Sequence, residues 1–379
     1  MLTRLDFIPA RDAELFASVP AAPAVFLLRG DDPHSEPYIT KTANLRRRLQ
    51  RLLGPPTEHS KRLNLRDRVR HIEFIATGSD FESGFLLYQL LRTSLPKTYA
   101  DRLRLRFAPL VKLHLENQYP RASVTTRLGR LHSRSVYYGP FPSRAAAEKY
   151  ANDSLDFFKM RRCVDDLNPD PKFPGCIYSE MKMCLAPCFK GCTDDEYRAE
   201  VSHVLSYFDS GGSSLLHEIS HQRDAASTNL DFETAATLHA RLEKLQPTLS
   251  QLPEIVCRID RLSALMVQPS ATPQSVNFFR IHSACIHGPL LFPIQSAEHT
   301  KSQSIEARVQ ETLAASGPIA KTALETMEHL ALLKRWYYRS HRIGEIFLVD
   351  EKGTLPFRRF VRGISRVYRG EKPEPELSS

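Results

Sequence analysis

Apolar positions along the chain follow two periods, and its opening shows both. "AVFLLRG" at residues 24–30 is a continuous apolar run closed by glycine, which predicts a buried strand. The turn-forming "DDPHSEP" follows, and "PYIT" predicts a second strand that pairs back as a hairpin. Thr42 stands where an N-cap is needed ahead of the helix "ANLRRRLQRLL". Leu45, Leu49, Leu52 and Leu53 recur at helical spacing and form one core-facing stripe. That stripe sends Arg47 and Arg51 to solvent and leaves Lys41 and Arg48 along one edge, beside the end of the Tyr38 strand. Two cations and a phenol on one edge can contact a phosphodiester; a solvated arginine face is the other reading.

Further on, "HIEFIAT" (71–77) predicts a third strand and "DFESGFLLYQLLRTSL" (80–95) a helix. "VKLHLEN" and "ASVTTRL" read as strands. "VYYGPFPSRAAAEKYANDSLDFF" reads as a strand, a turn at Gly139–Pro140 and a helix capped near Ser143. Gly211–Gly212 break the chain before two helices. The first carries Leu215, Leu216, Ile219 and Ala226; the second carries Ala235, Leu238, Leu242 and Leu245. Asn229-Leu230-Asp231 makes the turn, with Asp231 capping the second helix. Two helices alone cannot bury their own stripe, so the hairpin must dock on this chain or on a partner. Beyond it, "SVNFFRIHSACIHGPLLFPI" predicts two strands around a His287–Gly288 turn, with His282 and His287 as strand and turn residues rather than ligands. Pro318 should open a long helix with Leu324, Met327, Leu330, Trp336 and Tyr337. "GEIFLVD" is a further strand, and "GEKPEPELSS" a disordered tail.

The expected fold class is α+β, in four parts. Residues 1–108 form a small three-stranded antiparallel sheet with helices, 109–205 a Cys-rich metal-binding region, 206–250 a helical hairpin, and 251–379 a C-terminal α+β region. Charge sharpens this division. Residues 1–150 hold 25 Lys/Arg against 14 Asp/Glu, whereas 151–250 hold 10 against 16. A basic module followed by an acidic one points to a polyanion partner for the first alone. No apolar run reaches the roughly 18 residues of a membrane span. "MLTRLDFIPARDAELF" interleaves acids and does not read as a secretory signal, so the expected location is cytoplasmic. Five of the seven cysteines fall between residues 163 and 192, which in a reducing compartment favours a metal over disulfides. Cys163, Cys176, Cys184 and Cys188 are spaced C-x12-C-x7-C-x3-C. Four thiolates suit zinc or an iron–sulfur cluster, and the spacing does not choose between them or against ordinary buried thiols. Cys257 and Cys285 are isolated and read as core residues.

The stretch "Y-I-x-K-x-x-N-L-x-x-R" from Tyr38 to Arg48, after its strand and hairpin, resembles the GIY-YIG nuclease domain that opens UvrC of bacterial nucleotide excision repair. Two later blocks resemble UvrC in the same order. They are "Y-x-G-P-x-P-S" from Tyr137 and "N-L-D-F-E-x-A-A-x-L" from Asn229, the latter like a UVR motif. The resemblance implies that Tyr38, Lys41 and Arg48 surround a scissile phosphate, with a glutamate on a later helix holding one Mg²⁺ or Mn²⁺. This sequence departs from that pattern at Phe26, Thr40, Ala100 and, above all, Tyr88 in the glutamate's place. A neutral phenol is a poor ligand for a hard cation, and Gln89 and Glu82 point off that helical face. An impaired nuclease site is therefore expected. The resemblance further implies a [4Fe–4S] cluster on Cys163, Cys176, Cys184 and Cys188, zinc being the alternative; Cys192 has no counterpart. It implies a UvrB-like partner for Leu230, Phe232, Ala235 and Ala236, with Phe232 as the aromatic anchor. Residues 251–379 show neither the RNase H-like second nuclease nor helix-hairpin-helix DNA binders, and look like the shorter tails of Cho-related proteins. The expected protein is a repair factor that binds DNA and a UvrB-like protein. The alternatives are an active Cho-like endonuclease making one incision and a redox sensor built on the cysteines.

Overall fold

The computed structural model describes residues 2–32, 34–56, 63–129, 134–164, 167–294, 304–314, 322–350 and 353–372. The chain opens with β1 (Thr3–Asp6), α1 (Asp12–Ser18), β2 (Ala24–Arg29) and β3 (Tyr38–Thr42). Then come α2 (Leu45–Leu53), β4 (His71–Ala76), α3 (Asp80–Ser94) and α4 (Tyr99–Leu103). Their antiparallel sheet runs β1-β4-β2-β3. It has four strands rather than the three expected, because "TRLD" near the N-terminus pairs with β4; four residues with no apolar alternation gave no period to read. Leu45, Leu49, Leu52 and Leu53 are all buried, as their spacing required. The cap of α2 is Asn44, whose side chain accepts from the Arg47 N–H at 2.9 Å. Thr42 instead accepts from the Asn44 N–H, which turns the chain into that cap.

The middle region contains β5 (Leu110–Leu113), β6 (Ala122–Thr125), β7 (Val136–Gly139) and α5 (Arg144–Leu155), the last capped by Ser143 as expected. The short α6 (Ile177–Glu180) lies in the cysteine block, and α7 (Asp194–Asp209) starts from a reciprocal Thr193/Glu196 cap. The hairpin is α8 (Ser213–Thr228) and α9 (Phe232–Ser250), with Asp231 capping α9 through the Thr234 N–H. Its two ends touch: a side chain on Gly212 would collide with Leu249. After the hairpin, β8 (Cys257–Arg258) pairs with β7, so the chain returns to complete the sheet β6-β5-β7-β8.

The third sheet, β11-β10-β9-β12, is built from β9 (Ala264–Pro269), β10 (Ser275–His282), β11 (Cys285–Pro293) and, after α10 (Ile305–Ala314) and α11 (Ala323–Tyr337), β12 (Glu345–Leu348). The turn between β10 and β11 is Ser283–Ala284, both at positive φ, with His282 opposite Cys285. The His287–Gly288 turn expected from composition is instead part of β11; Gly288 is needed there because a Cβ would strike the Phe278 carbonyl across a register shift. Pro318, the expected start of the long helix, lies outside the described residues, as does the end of the tail from 373; α11 is capped by Thr322. Leu324 is 46% exposed rather than in the core, and Thr326, Glu328 and His329 are buried instead. Several helices lie where none is expected from the sequence, among them α1, α4, α7, α10 and the last, α12 (Phe357–Arg369). Its stripe of Phe360, Ile364 and Val367 shares the helix with five arginines, of which Arg366 grips Glu345 through two bonds of 2.8 Å.

The faces of the third sheet explain how the molecule holds together. Phe278, Val267 and Leu265 face α12. Phe279, Met266, Ile281 and Ile286 share one core with α3, α11, the middle sheet and the base of the hairpin. Thus α3 is clasped between the first sheet and the third. Phe81 meets Phe279 edge-on at 5.0 Å and Trp336 at 5.8 Å, and Phe85 lies 5.5 Å from His329.

Candidate phosphodiester site

In β2 and β3, Phe26 stands opposite Thr40 and Leu28 opposite Tyr38. Phe26 is fully buried and its ring packs at 6.2 Å from the Tyr38 ring, so the missing hydroxyl belongs to a position that now serves the core. Arg48, on the half-buried edge of α2, donates to the Tyr38 hydroxyl at 2.9 Å. That pair is therefore assembled as its spacing suggested. Lys41, on the same strand, is not free: its ammonium forms an ion pair with Asp80, the first residue of α3. The other Asp80 oxygen accepts from Arg339, just beyond α11, at 2.5 Å. Burial works to raise the Asp80 carboxyl, but Lys41 and Arg339 outweigh it and hold it below the usual carboxylate range. An acidic oxygen thus does stand in this cleft, contrary to the sequence reading. It comes from the start of the helix, and its cation partner Arg339 is 259 residues away in sequence, so no local pattern announces the pair.

Tyr88, at the expected glutamate position, is 1% exposed and points away into the packing between α3 and α11. Its hydroxyl donates to Glu328 Oε2 at 2.8 Å and accepts from Arg92 at 2.9 Å. Tyr99 donates to the other Glu328 oxygen at 2.6 Å, and its hydroxyl is pushed up to about 12 by burial and that carboxylate. Glu82 is likewise off the cleft. It is buried against the third sheet, where Asn277 and the Gly78 N–H donate to it, and burial lifts its carboxyl above the usual range. Ala100 lies at the exposed surface of α4.

Lys41, Asp80, Phe81, Gly84, Trp336 and the cationic pair Arg335 and Arg339 line a pocket where α11 overhangs α3. Among the described residues no group of three His, Cys, Asp or Glu is placed to hold a metal ion.

The cysteine block folds as a loop around two short helical turns, with Cys176 capping α6. Cys163, Cys176, Cys184 and Cys188 are all free thiols of intermediate exposure. Burial pushes the Cys184 thiol up to about 11, and the other three lie near enough to add to the shift, against the Ala186 N–H that donates to its sulfur. Cys285 is buried, as expected; Cys257 is only partly so.

The hairpin divides into two halves. Leu215, Ile219, Leu242 and Leu245 are buried in the main core. At the tip, Leu230 is 71% exposed at positive φ and Phe232 is 68% exposed, with Ala236 also exposed and Ala235 half-buried. The base docks on this chain and the apolar tip does not.

Residues 109–207 match the family model described as UvrC/Cho excinuclease, middle domain. The UvrABC system protein C of Moorella thermoacetica is 26% identical over 341 residues, covering 89% of this chain and 51% of that protein. That of Carboxydothermus hydrogenoformans is 26% identical over 239 residues, covering 63% of this chain and 39% of that protein. The chain is UvrC-like. The UvrC-like chain spans between about a third and a half of the length of the curated relatives it matches. No solved structure matches it. No helix among its described residues is long and apolar enough to cross a membrane.

Proposed function

We propose that this UvrC-like chain works in nucleotide excision repair as a DNA-binding factor whose nuclease-type site is silent. One observation carries the reading: the carboxylate that reaches the cleft, Asp80, has both oxygens committed to cations, while the position that should present a metal holds a buried tyrosine. A phosphate can still be held by Tyr38, Lys41 and Arg48, whose donors stand at one edge of the first sheet. The exposed tip around Leu230 and Phe232 supports contact with a UvrB-like protein, since apolar side chains left outward on a docked hairpin gain from burial against a partner. Cys163, Cys176, Cys184 and Cys188 supply the donor chemistry of a [4Fe–4S] cluster, with zinc as the alternative.

The test is incubation of the protein with lesion-bearing duplex DNA, with and without Mn²⁺. Retention of the duplex without nicking supports the reading. A second reading rests on Asp80 itself. If Arg339 swings away, Asp80 offers a single carboxylate beside Lys41, enough to hold one hydrated cation for a single incision. Mn²⁺-dependent nicks that disappear in Lys41→Ala and Arg48→Ala select that reading.

A further inference from the structure

Helix α11 does more than cover α3. Arg335 and Arg339 sit on and just after α11, one turn apart, and face the same pocket as Lys41 from β3. Three cations surround one carboxylate, which leaves an excess of positive charge. Asp80 holds two of them in place, while Arg335 is exposed and is not drawn into that pair. The walls are apolar, from Phe81, Leu332 and Trp336, so charges there are screened less than on open surface. The floor is Gly84, in the middle of the long helix α3, where glycine lowers helix stability. Packing does not demand glycine there, since a Cβ would meet only the Lys41 ammonium, at 4.0 Å. What the missing side chain does is keep the pocket open.

We propose that this pocket binds a second backbone phosphate of the DNA strand, with Arg335 and Arg339 completing a track that begins at Tyr38 and Arg48. The inference rests on the DNA-binding reading and assigns the C-terminal region a direct part in it. Asp80 acts as the positioning residue, orienting Lys41 and Arg339 until a phosphate shares them.

The test is fluorescence anisotropy of a labelled DNA duplex with the full chain over a range of salt. Arg335→Ala changes an exposed side chain, and Gly84→Leu fills the pocket without changing charge while favouring the helix. Each should weaken binding about three- to tenfold, and Arg335→Ala should also lower the slope of log affinity against log salt by about one. Arg335→Lys should retain most of the affinity. Parental binding by both Arg335→Ala and Gly84→Leu, with Lys41→Ala and Arg48→Ala still weakened, overturns the proposal and leaves the DNA-binding reading standing. Parental binding by Lys41→Ala and Arg48→Ala as well removes both. Thermal melts of each variant separate lost binding from lost folding.

Discussion

The Tyr88 hydroxyl donates to Glu328 Oε2 at 2.8 Å, joining residues 240 apart in sequence. The bond lies where two units pack, with Glu328 2% exposed and receiving Tyr99 on its other oxygen. The helix on which the sequence resemblance expects a metal ligand serves here as a docking surface. Tyr88→Phe leaves Glu328 and Arg92 each short of a partner, and should lower stability by about 1–3 kcal/mol in urea unfolding.

Placing a glutamate at position 88, where the sequence resemblance expects one, should not produce cutting. Tyr88→Glu sets a second carboxylate against buried Glu328, where one of them must stay protonated or repel. The expected outcome is a loss of about 3 kcal/mol or more in stability and no gain in Mn²⁺-dependent nicking. Efficient nicking by a well-folded Tyr88→Glu protein would show that position 88 does reach the cleft.

Asp80→Asn separates the two readings of the phosphodiester site. If Asp80 only orients cations and competes with phosphate, removing its charge should tighten DNA binding severalfold at low salt. If it is a metal ligand, any Mn²⁺-dependent nicking should vanish. Stability should change by no more than about 1 kcal/mol, because the Asp80 pairs are half-exposed.

The hairpin tip should be dispensable for folding. Leu230→Ser and Phe232→Ala change side chains exposed by 71% and 68%, and should shift stability by less than about 0.5 kcal/mol. The same changes should abolish capture of a UvrB-like protein while anisotropy with DNA stays unaltered. Undiminished capture by Phe232→Ala would remove the tip as the contact.

Acid should loosen the C-terminal packing through His329. Burial holds its imidazole down to about 4 from the ordinary 6.5, and its Nδ1 accepts from the Ile286 N–H, so it is neutral in the fold. Between those two values the unfolded chain binds more protons than the native one, so stability falls as pH drops through that window. The full contribution is present above pH 6.5, and on the order of 3 kcal/mol is lost by its lower end. His329→Gln should flatten this part of a stability-versus-pH profile; an unchanged slope would assign the effect elsewhere.

Local chemistry was legible and long-range chemistry was not. The leucines of α2, the Ser143 and Asp231 caps and the Tyr38–Arg48 edge all follow from spacing within a dozen residues. The partners that decide the candidate site, Asp80 with Arg339 and Tyr88 with Glu328, are joined only when the third sheet closes over α3. A ligand expected on one helical face leaves out a carboxylate at the helix start, which is where Asp80 stands. The segment of α12 gives no clear helical pattern, because its arginines outnumber the apolar residues that anchor it.

The contact between Gly212 and Leu249 has a practical corollary. A helical pair whose feet meet leaves and re-enters the fold at one place, and while its lower turns belong to the core, its outer turns around Leu230 and Phe232 can be shortened without touching the β7–β8 pairing. On the proposed function, such a trimmed protein should keep its hold on nucleic acid and lose recruitment, and the two tasks should be complemented in trans by supplying the tip on another scaffold.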